Sequence, residues 1–452
     1  MFYHSLENPK NTAGFSEALL ASLAPDGGLW MPDKIPTYSL QQAAKLAALS
    51  FADCAAALAR PFVDKKFSDD DLQEICRDAY DYPLPLKTLA GYELDPSIPE
   101  LRGDEFILEL FHGPTLAFKD FAARFMGRAA SHIMQMSGEK RTILVATSGD
   151  TGGAIGDAFL HQDGIQVFIL FPNSGVSKVQ EQQLTTIGGG NANIHAIAVD
   201  GTFDDCQQIV KDAFADEELS ETFNLMSANS INVGRVIPQS FYYFWTSLQL
   251  KAAYGDKPIV YSIPSGNLGN LTGGLIARKM GAPIDRFVIG NNMNDPFVEY
   301  LASGKYSPRP SVPTLSNAMD IGRPNNFPRI LDLFDGDYEA IRNVCWGASF
   351  TDEQTERHMR RIHAETGYIV CPHTSVGHMA MQAFSDGLDP DFIKVTVSTA
   401  HPGKFADSVE RILRMDLDLP KPLSKAMKRK KIYNLASPTL DAIRNIVELK
   451  QS

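Results

Sequence analysis

Hydrophobic residues recur along this chain in two different rhythms. In the first hundred positions they fall at helical spacing. FSEALLASL (residues 15–23) and SLQQAAKLAALSFADCAAALARPF (39–62) each carry an apolar stripe, with Ser16 and Ser39 as candidate N-caps. Between them APDGGLWMPDKIP (24–36) is dense in turn formers. From about residue 140 the rhythm changes to short β-rich apolar runs, each followed by a polar or Gly-rich turn and then a helical pattern. Six such units are legible, at 141–160, 165–184, 192–216, 257–281, 285–301 and 392–413. Strands alternating with helices predict βαβ units and a mainly parallel sheet, hence an α/β fold. Ligands of such sheets bind in the loops beyond the C-terminal strand ends, where this chain concentrates Gly, Ser, Thr and Asn.

Composition narrows the class without naming it. At 452 residues the chain exceeds one compact core and predicts two to three domains. Its 54 acidic and 42 basic residues give a net charge of −12, which argues against nucleic acid or an anionic membrane as the main partner but leaves a small anionic ligand open. No window has the apolar length of a membrane span, and the first residues lack the basic start and apolar run of a secretory leader. Cys54, Cys76, Cys206, Cys345 and Cys371 are scattered and never paired as Cys-x-x-Cys, so a reducing cytoplasm is expected and a disulfide framework is not. The basic run SKAMKRKKIY (424–433) reads as a solvated helix face or tail.

Candidate chemistry gathers in a few loops. In HGPTLAFKDFAARF (112–125), Lys119 follows Phe118 directly and precedes Phe121 by two. It either snorkels to water from an amphipathic helix or stands dry with a depressed pKa. In IVYSIPSGNLGNLTGG (259–274) a β-run ends at Ser265, and Gly266, Asn267, Leu268, Gly269 and Asn270 lead into a helix beginning near Leu271. Close backbone approach, successive N–H groups and a helix N-terminus make an anion cradle, unless the turn holds no ligand. Neither a Walker A loop nor Gly-x-Gly-x-x-Gly is present, so kinase-like and NAD readings drop. ATSGDTGGAIG (146–156) offers Ser148, Asp150 and Thr151 to a carboxylate or ring oxygen, or simply caps its helix through Ser148 or Asp150. SANSINVGR (227–235) sets Ser227, Asn229, Ser230 and Asn232 before Arg235, either an anion grip or an ordinary loop with a surface arginine. VSTAHPGKFADSV (397–409) puts Ser398, Thr399 and His401 at the end of a late strand. Cys371, His373 and His378, like His358 and His363, match no metal-ligand spacing, and no metal is expected. One phosphate cradle, an embedded lysine, a hydroxyl-rich strand end and no dinucleotide motif together suggest pyridoxal phosphate, which needs an amine, an anion nest and a partner for its ring nitrogen.

HGPTLAFKDFAARF, ATSGDTGGA, NSINVGR, PSGNLGN and STAHPGKF, in this order, resemble the threonine synthases, fold-type-II pyridoxal-phosphate enzymes. LAPDGGLWMP and PHTSVGH resemble them as well, so the likeness runs from about residue 5 to about 415, in the manner of the longer bacterial and fungal branch with its extra N-terminal helical region. The resemblance implies two parallel-sheet α/β domains plus that region: residues 1–95 mainly helical, 96–135 and 236–452 a large cofactor-binding domain, and 136–235 a smaller inserted one. It implies that Lys119 bonds the cofactor aldehyde, with Phe118 and Asp150 beside it. Residues 266–270 would hold the cofactor phosphate, and Thr399 would bond the ring nitrogen. Ser148 and Thr151 would face the substrate carboxylate, while Ser230, Asn232 and Arg235 would grip a second phosphate.

The implied reaction turns O-phospho-L-homoserine and water into L-threonine and phosphate, in a monomer or homodimer. Burial among Phe111, Phe118 and Phe121 is expected to lower the Lys119 pKa toward neutrality. Rival readings are another fold-type-II lyase, such as a serine/threonine dehydratase or an O-phosphohomoserine phospholyase, and a non-catalytic homologue that binds pyridoxal phosphate.

Overall fold

The structure, a computed structural model, describes residues 1–89, 104–190, 193–386 and 391–451. Near the N-terminus β1 (Phe2–Ser5), β2 (Thr12–Gly14) and β3 (Trp30–Pro32) form an antiparallel sheet with β1 central. Strands of three or four residues are too short to display an alternation, so the apolar pattern there predicts helices alone. Ser39 caps helix Leu40–Ala47 as expected, accepting from the Gln42 N–H while the Gln42 side chain returns the bond. Ser16 does not cap. Helix Phe15–Ala21 starts two residues earlier than such a cap requires, behind Gly14, and the N–H of buried Ser16 instead reaches Asp64 Oδ2 at 2.9 Å.

Further along come β4 (Leu86–Thr88), β5 (Glu105–Glu109), β6 (Arg141–Ala146), β7 (Ile165–Pro172), β8 (Ile194–Val199), β9 (Leu225–Ser227) and β10 (Ile259–Pro264). They are followed by β11 (Arg286–Asn291), β12 (Cys345–Ser349), β13 (Ile393–Ser398) and β14 (Asn434–Ala436). These strands build two sheets. The larger runs β12-β11-β10-β13-β5-β4 and is parallel except for β4, which pairs antiparallel with β5. The smaller runs β14-β8-β7-β6-β9, parallel throughout. The six βα units read from the sequence divide equally between the sheets, β6, β7 and β8 in the smaller and β10, β11 and β13 in the larger. Their apolar runs are buried on both faces, as parallel sheets covered by helices require.

The C-terminal segment does not stay with the large domain, as the 236–452 division expects. Strand β14 pairs with β8, and Ile443 and Val447 of helix Leu440–Gln451 enter the core formed by Leu144, Phe168 and Ile197. A three-residue strand and one amphipathic helix carry no mark of which sheet they will join. The expected boundary between 95 and 96 lies outside the described residues.

Sheet order sets up the site. Because β10, β13 and β5 are neighbours, the loops leaving their C-terminal ends lie side by side, carrying residues 265–270, 399–404 and 110–118. The adjacent β6 and β9 of the smaller sheet send residues 147–150 and 228–235 toward them. Among the described residues no helix is long and apolar enough to cross a membrane.

Helix Gly269–Lys279, which starts at the cradle, lies against helix Gln239–Tyr254 through Gly273. A Cβ at Gly273 would stand 2.6 Å from the Gln239 Cβ and 2.9 Å from its carbonyl carbon. Gly273→Ala improves helix propensity by up to about 1 kcal/mol but overpacks this contact by roughly 1–3 kcal/mol. Chemical denaturation should therefore find the variant less stable than the wild type. An equal or higher midpoint would mean that the two helices can part at no loss.

Candidate active site

Lys119 reaches the cleft through backbone pairing. The chain leaving β5 bridges Ala117 to Ala400, and the Phe118 N–H donates to the Thr399 carbonyl at 2.8 Å, so lysine and threonine are set side by side. The turn before it is fixed by Asp120, whose buried carboxylate accepts from the Thr115 N–H at 2.9 Å and the Thr115 hydroxyl at 2.5 Å. Burial raises the Asp120 pKa to about 6 against those bonds. Lys119 then opens helix Lys119–Ser137, half-buried, with its ammonium 5.8 Å from the Phe118 ring centre. Burial is the main cause that lowers its pKa to about 8; Asp150 opposes, while the Arg235 and Lys404 cations add to the lowering.

The expected aromatic setting is only partly realised. Phe118 lines the cleft, but Phe121 packs into an aromatic cluster with Phe51, Tyr80, Tyr82 and Tyr242, and Phe111 lies against His112 and His401. Residue 121 sits two positions along a helix from residue 119, and such positions do not share a face. Lys119 is kept dry by the whole wall of the cleft rather than by a cage of three phenylalanines.

The cradle begins one strand away. After β10, a Cβ on Gly266 would come within 2.7 Å of the Met319 Cα, so only glycine admits this backbone approach. Leu268 holds φ at 60°, a left-handed conformation costing a non-glycine residue roughly 1–2 kcal/mol, and its side chain is buried. The helix starts at Gly269, two residues earlier than expected, so its first N–H groups and dipole end border the cleft. Asn267 braces the loop: its Nδ2 donates to Ser230 Oγ at 2.6 Å, its Oδ1 accepts from the Asn325 N–H at 2.5 Å, and its carbonyl accepts from Asn326 Nδ2 at 2.9 Å. Asn270 Oδ1 accepts from the Tyr242 and Tyr243 hydroxyls at 2.6 and 2.8 Å.

From the smaller sheet, Ser148, Asp150 and Thr151 line the cleft. Neither Ser148 nor Asp150 caps the helix Asp150–Ala158; Thr147 Oγ1 does so, accepting from the Gly149 and Gly152 N–H groups at 2.9 Å each. The side chains that follow are thereby left to the cleft. Asp150 is buried, with Gln180 Nε2 at 2.9 Å and Lys404 Nζ at 3.1 Å, both on Oδ1. Although burial would raise its pKa, the Lys404 cation, then Lys119, hold the carboxyl far below the usual range. Arg235, buried and lining the same cleft, donates to the Ala228 carbonyl at 2.6 Å; burial lowers its pKa to about 10, Asp120 opposing.

Of the residues expected at the site, Phe118, Lys119, Ser148, Asp150, Thr151, Ser230, Arg235, 266–270 and Thr399 share this cleft wall. Asn232 does not. Its Nδ2 donates to the Leu19 carbonyl, Ser22 Oγ and the Ser227 carbonyl at 2.8, 3.1 and 3.0 Å, and its Oδ1 accepts from the Gly234 N–H. It pins the Ser230–Arg235 turn to the N-terminal region from behind. The reading from sequence missed Lys404, although STAHPGKF contains it, and it weighed His373 only as a metal ligand. His373 lines the cleft instead, accepting from the Ala318 N–H at 3.2 Å, and burial lowers its pKa to about 4. His378 pairs with His358 at 2.8 Å and Glu105 at 3.0 Å, apart from His373.

Three buried polar atoms of the wall, Ser265 Oγ, Asn270 Nδ2 and Arg235 Nε, have no hydrogen-bond partner among the described residues. Buried polar groups are rarely left so, and donors gathered at a helix N-terminus and on a guanidinium suit anions. The site residues thus fit a phosphorylated cofactor, with a second anion position at Arg235.

Comparison with known proteins agrees with this geometry. The family model described as pyridoxal-phosphate dependent enzyme matches residues 87–400, that of the threonine synthase N terminus matches 2–80, and that of the threonine synthase C-terminal part matches 374–447. The chain is 39% identical to threonine synthase of Escherichia coli (strain K12), over 94% of each chain. It is 34% identical to threonine synthase of Saccharomyces cerevisiae, over 98% of this chain and 96% of that one. Its structure matches the PLP-bound threonine synthase of Brucella melitensis with a TM-score of 0.89 at 33% identity, covering 99% of both. Because these matches run from the N-terminal sheet through both parallel sheets to the returning strand β14, the chain belongs to the threonine synthase family of pyridoxal-phosphate-dependent enzymes.

Proposed function

We propose that this chain is a threonine synthase that converts O-phospho-L-homoserine and water into L-threonine and phosphate. The observation that carries the reading is the pairing, in one cleft, of a lysine amine with a lowered pKa and two separate anion positions, the cradle at 266–270 and the guanidinium of Arg235. A cofactor phosphate needs one such position, and a phosphorylated substrate needs the other.

Pyridoxal phosphate, when bound, supplies an electrophilic aldehyde and a sink for the electrons of a broken Cα–H bond. The chain's own groups divide the remaining work. Lys119 would bond the aldehyde through its amine, and as a free amine it would hold the proton of the substrate Cα and return it. The N–H groups of residues 266–270, with Asn270 Nδ2, would hold the cofactor phosphate. The Thr399 hydroxyl would meet the ring nitrogen, and as a neutral partner it would leave that nitrogen less protonated than an aspartate would. Ser148 and Thr151, at the N-terminus of helix Asp150–Ala158, orient the substrate carboxylate. Ser230 and Arg235 grip the substrate phosphate. Asn232 acts from behind, by fixing the turn that carries both. Over the full reaction the Cγ–O bond breaks and phosphate departs, one Cβ–H bond breaks and a water hydroxyl takes that place, and Cγ gains a proton to become the methyl group. Arg235 stabilises the charge that the leaving group gains.

Borohydride reduction of the protein with pyridoxal phosphate should fix the cofactor on Lys119. Lys119→Ala should lose that label and, with it, at least ~10³-fold of threonine formation. Label retained at full yield in Lys119→Ala would remove Lys119 from the role. Because the free amine is the nucleophile, attachment of pyridoxal phosphate to the apo-protein should speed up about tenfold per pH unit on the way up to pH 8 and level off above it. A profile that is flat from pH 6 to 9 would contradict a lysine with that pKa. Arg235→Met, which deletes one charge-assisted anion contact, should lower kcat/KM for O-phosphohomoserine by about 10- to 100-fold. Cofactor affinity should be unchanged, because Arg235 is assigned to the other phosphate. Product analysis separates L-threonine from the 2-oxobutanoate of a dehydratase or phospholyase.

A further inference from the structure

Lys404 is the least expected cation at the site. It is 1% exposed and is absent from the cleft wall, yet its ammonium stands 3.1 Å from Asp150 Oδ1 and donates to the Thr115 carbonyl at 2.7 Å. Its own backbone carbonyl accepts from Ser177 Oγ at 2.9 Å. Lys404 follows β13 of the larger sheet, and Thr115 lies in the loop after β5 of the same sheet. Asp150 and Ser177 follow β6 and β7 of the smaller sheet. The residue therefore joins the two sheets through Asp150, a carboxylate that lines the same cleft as Lys119.

The charges around that amine make the placement consequential. Facing Lys119 are one carboxylate, Asp150, two cations, Arg235 and Lys404, and the His373 imidazole. Facing Asp150 are Lys404, Lys119, the Gln180 amide, His373 and the Cys371 thiol. Facing Lys404, beyond Asp150, are Asp120 and His401. Asp150 lines the same cleft as Lys119 and favours its ammonium, and with no other cation on that carboxylate the attraction would act on the amine undivided. A second cation on the same carboxylate divides that attraction.

We propose that Lys404 is a positioning residue for the reaction, which takes up the charge of Asp150 from behind the cleft wall and so allows Lys119 to stand as a free amine when the two domains are joined. The inference rests on the reading of Lys119 as the amine that bonds the cofactor. It assigns Lys404 no contact with substrate or cofactor, and no proton passes through it.

The test measures Lys119 directly. Apo-protein is reductively methylated with formaldehyde and cyanoborohydride across pH 6 to 10, and the Lys119 peptide is quantified by mass spectrometry. In Lys404→Gln the midpoint of Lys119 reactivity should move up by about one pH unit, the usual effect of removing one nearby like charge. Lys404→Arg, which keeps the cation, should restore it. A folded Lys404→Gln whose Lys119 midpoint stays in place or falls overturns the proposal, since a merely structural lysine would lower stability without moving that midpoint. If Lys404→Gln does not fold, the neutral pair Lys404→Gln with Asp150→Asn carries the question. Removing both charges should leave the midpoint within a few tenths of a unit of the wild type, whereas a fall of about one unit would mean that Lys404 had not been sharing Asp150. Threonine formation by the wild type is assayed separately. A wild type that makes no threonine defeats the functional reading, and an unmoved Lys119 midpoint defeats this one.

Discussion

A lysine can attack an aldehyde or take a proton from carbon only while its amine is uncharged, and this protein must keep one so inside a cleft that also binds anions. Anion sites are built from positive potential, which itself disfavours an ammonium, so the two demands cooperate here. The helix N-termini at Gly269 and Asp150 and the Arg235 guanidinium favour phosphate and carboxylate, and Arg235 at the same time presses on the Lys119 proton. Burial supplies the larger part of that pressure. The single opposing carboxylate, Asp150, is claimed from the other side by Lys404 and Gln180. The balance of charge on one nitrogen is thus a property of both sheets at once.

The rigidity behind that balance comes largely from groups outside the cleft. Arg329 is fully buried with carbonyl and amide oxygens as partners: Trp30 at 3.3 Å, Ser230 at 2.9 Å, Ile231 at 2.6 Å and Asn326 Oδ1 at 2.6 Å. Burial lowers its pKa to about 9. Through Asn326 and Ser230, both bonded to Asn267, it steadies the cradle and the substrate-side turn together. Asn232 holds the same turn to Leu19 and Ser22. The N-terminal region therefore forms part of the support of the site, and its three-stranded sheet presents Trp30 to Arg329.

How far the molecule can be read from its sequence follows the range of the interactions involved. The βα units of both sheets were legible because a strand buried on both faces must be an unbroken apolar run, and the Gly-Asn loop was legible because close backbone approach and an αL position leave a local trace. What could not be read depends on partners distant in the chain. Nothing in NLA marks β14 as a neighbour of β8, more than two hundred residues earlier. Asn232 resembles a ligand-gripping amide as closely as does Asn267, and only Leu19 and Ser22 decide that it faces inward. Phe121 looks like a neighbour of Lys119 in the string, yet helical geometry turns it to Tyr82 and Tyr242. Lys404 lies within STAHPGKF, yet a lysine is ordinarily a surface residue and nothing local marks this one as buried.

The placement of charge across the domain boundary has a consequence for how the site is assembled. In most parallel α/β folds the loops at the strand ends are free to move relative to one another, and a ligand draws them together. Here Lys404 bonds Asp150 through its ammonium and Ser177 through its carbonyl, so one residue closes the contact between the sheets and sets the field at Lys119 in the same act. If the domains part, Asp150 loses Lys404 but keeps Gln180, which lies on its own side. Lys404 stays with Thr115, on the same sheet as Lys119. Asp150 and Lys119 also separate in that motion, since they follow strands of different sheets. With Lys404 seated on Asp150, burial and the neighbouring cations together lower the Lys119 pKa against the one opposing carboxylate, so the chemistry of that amine depends on the contact between the two sheets.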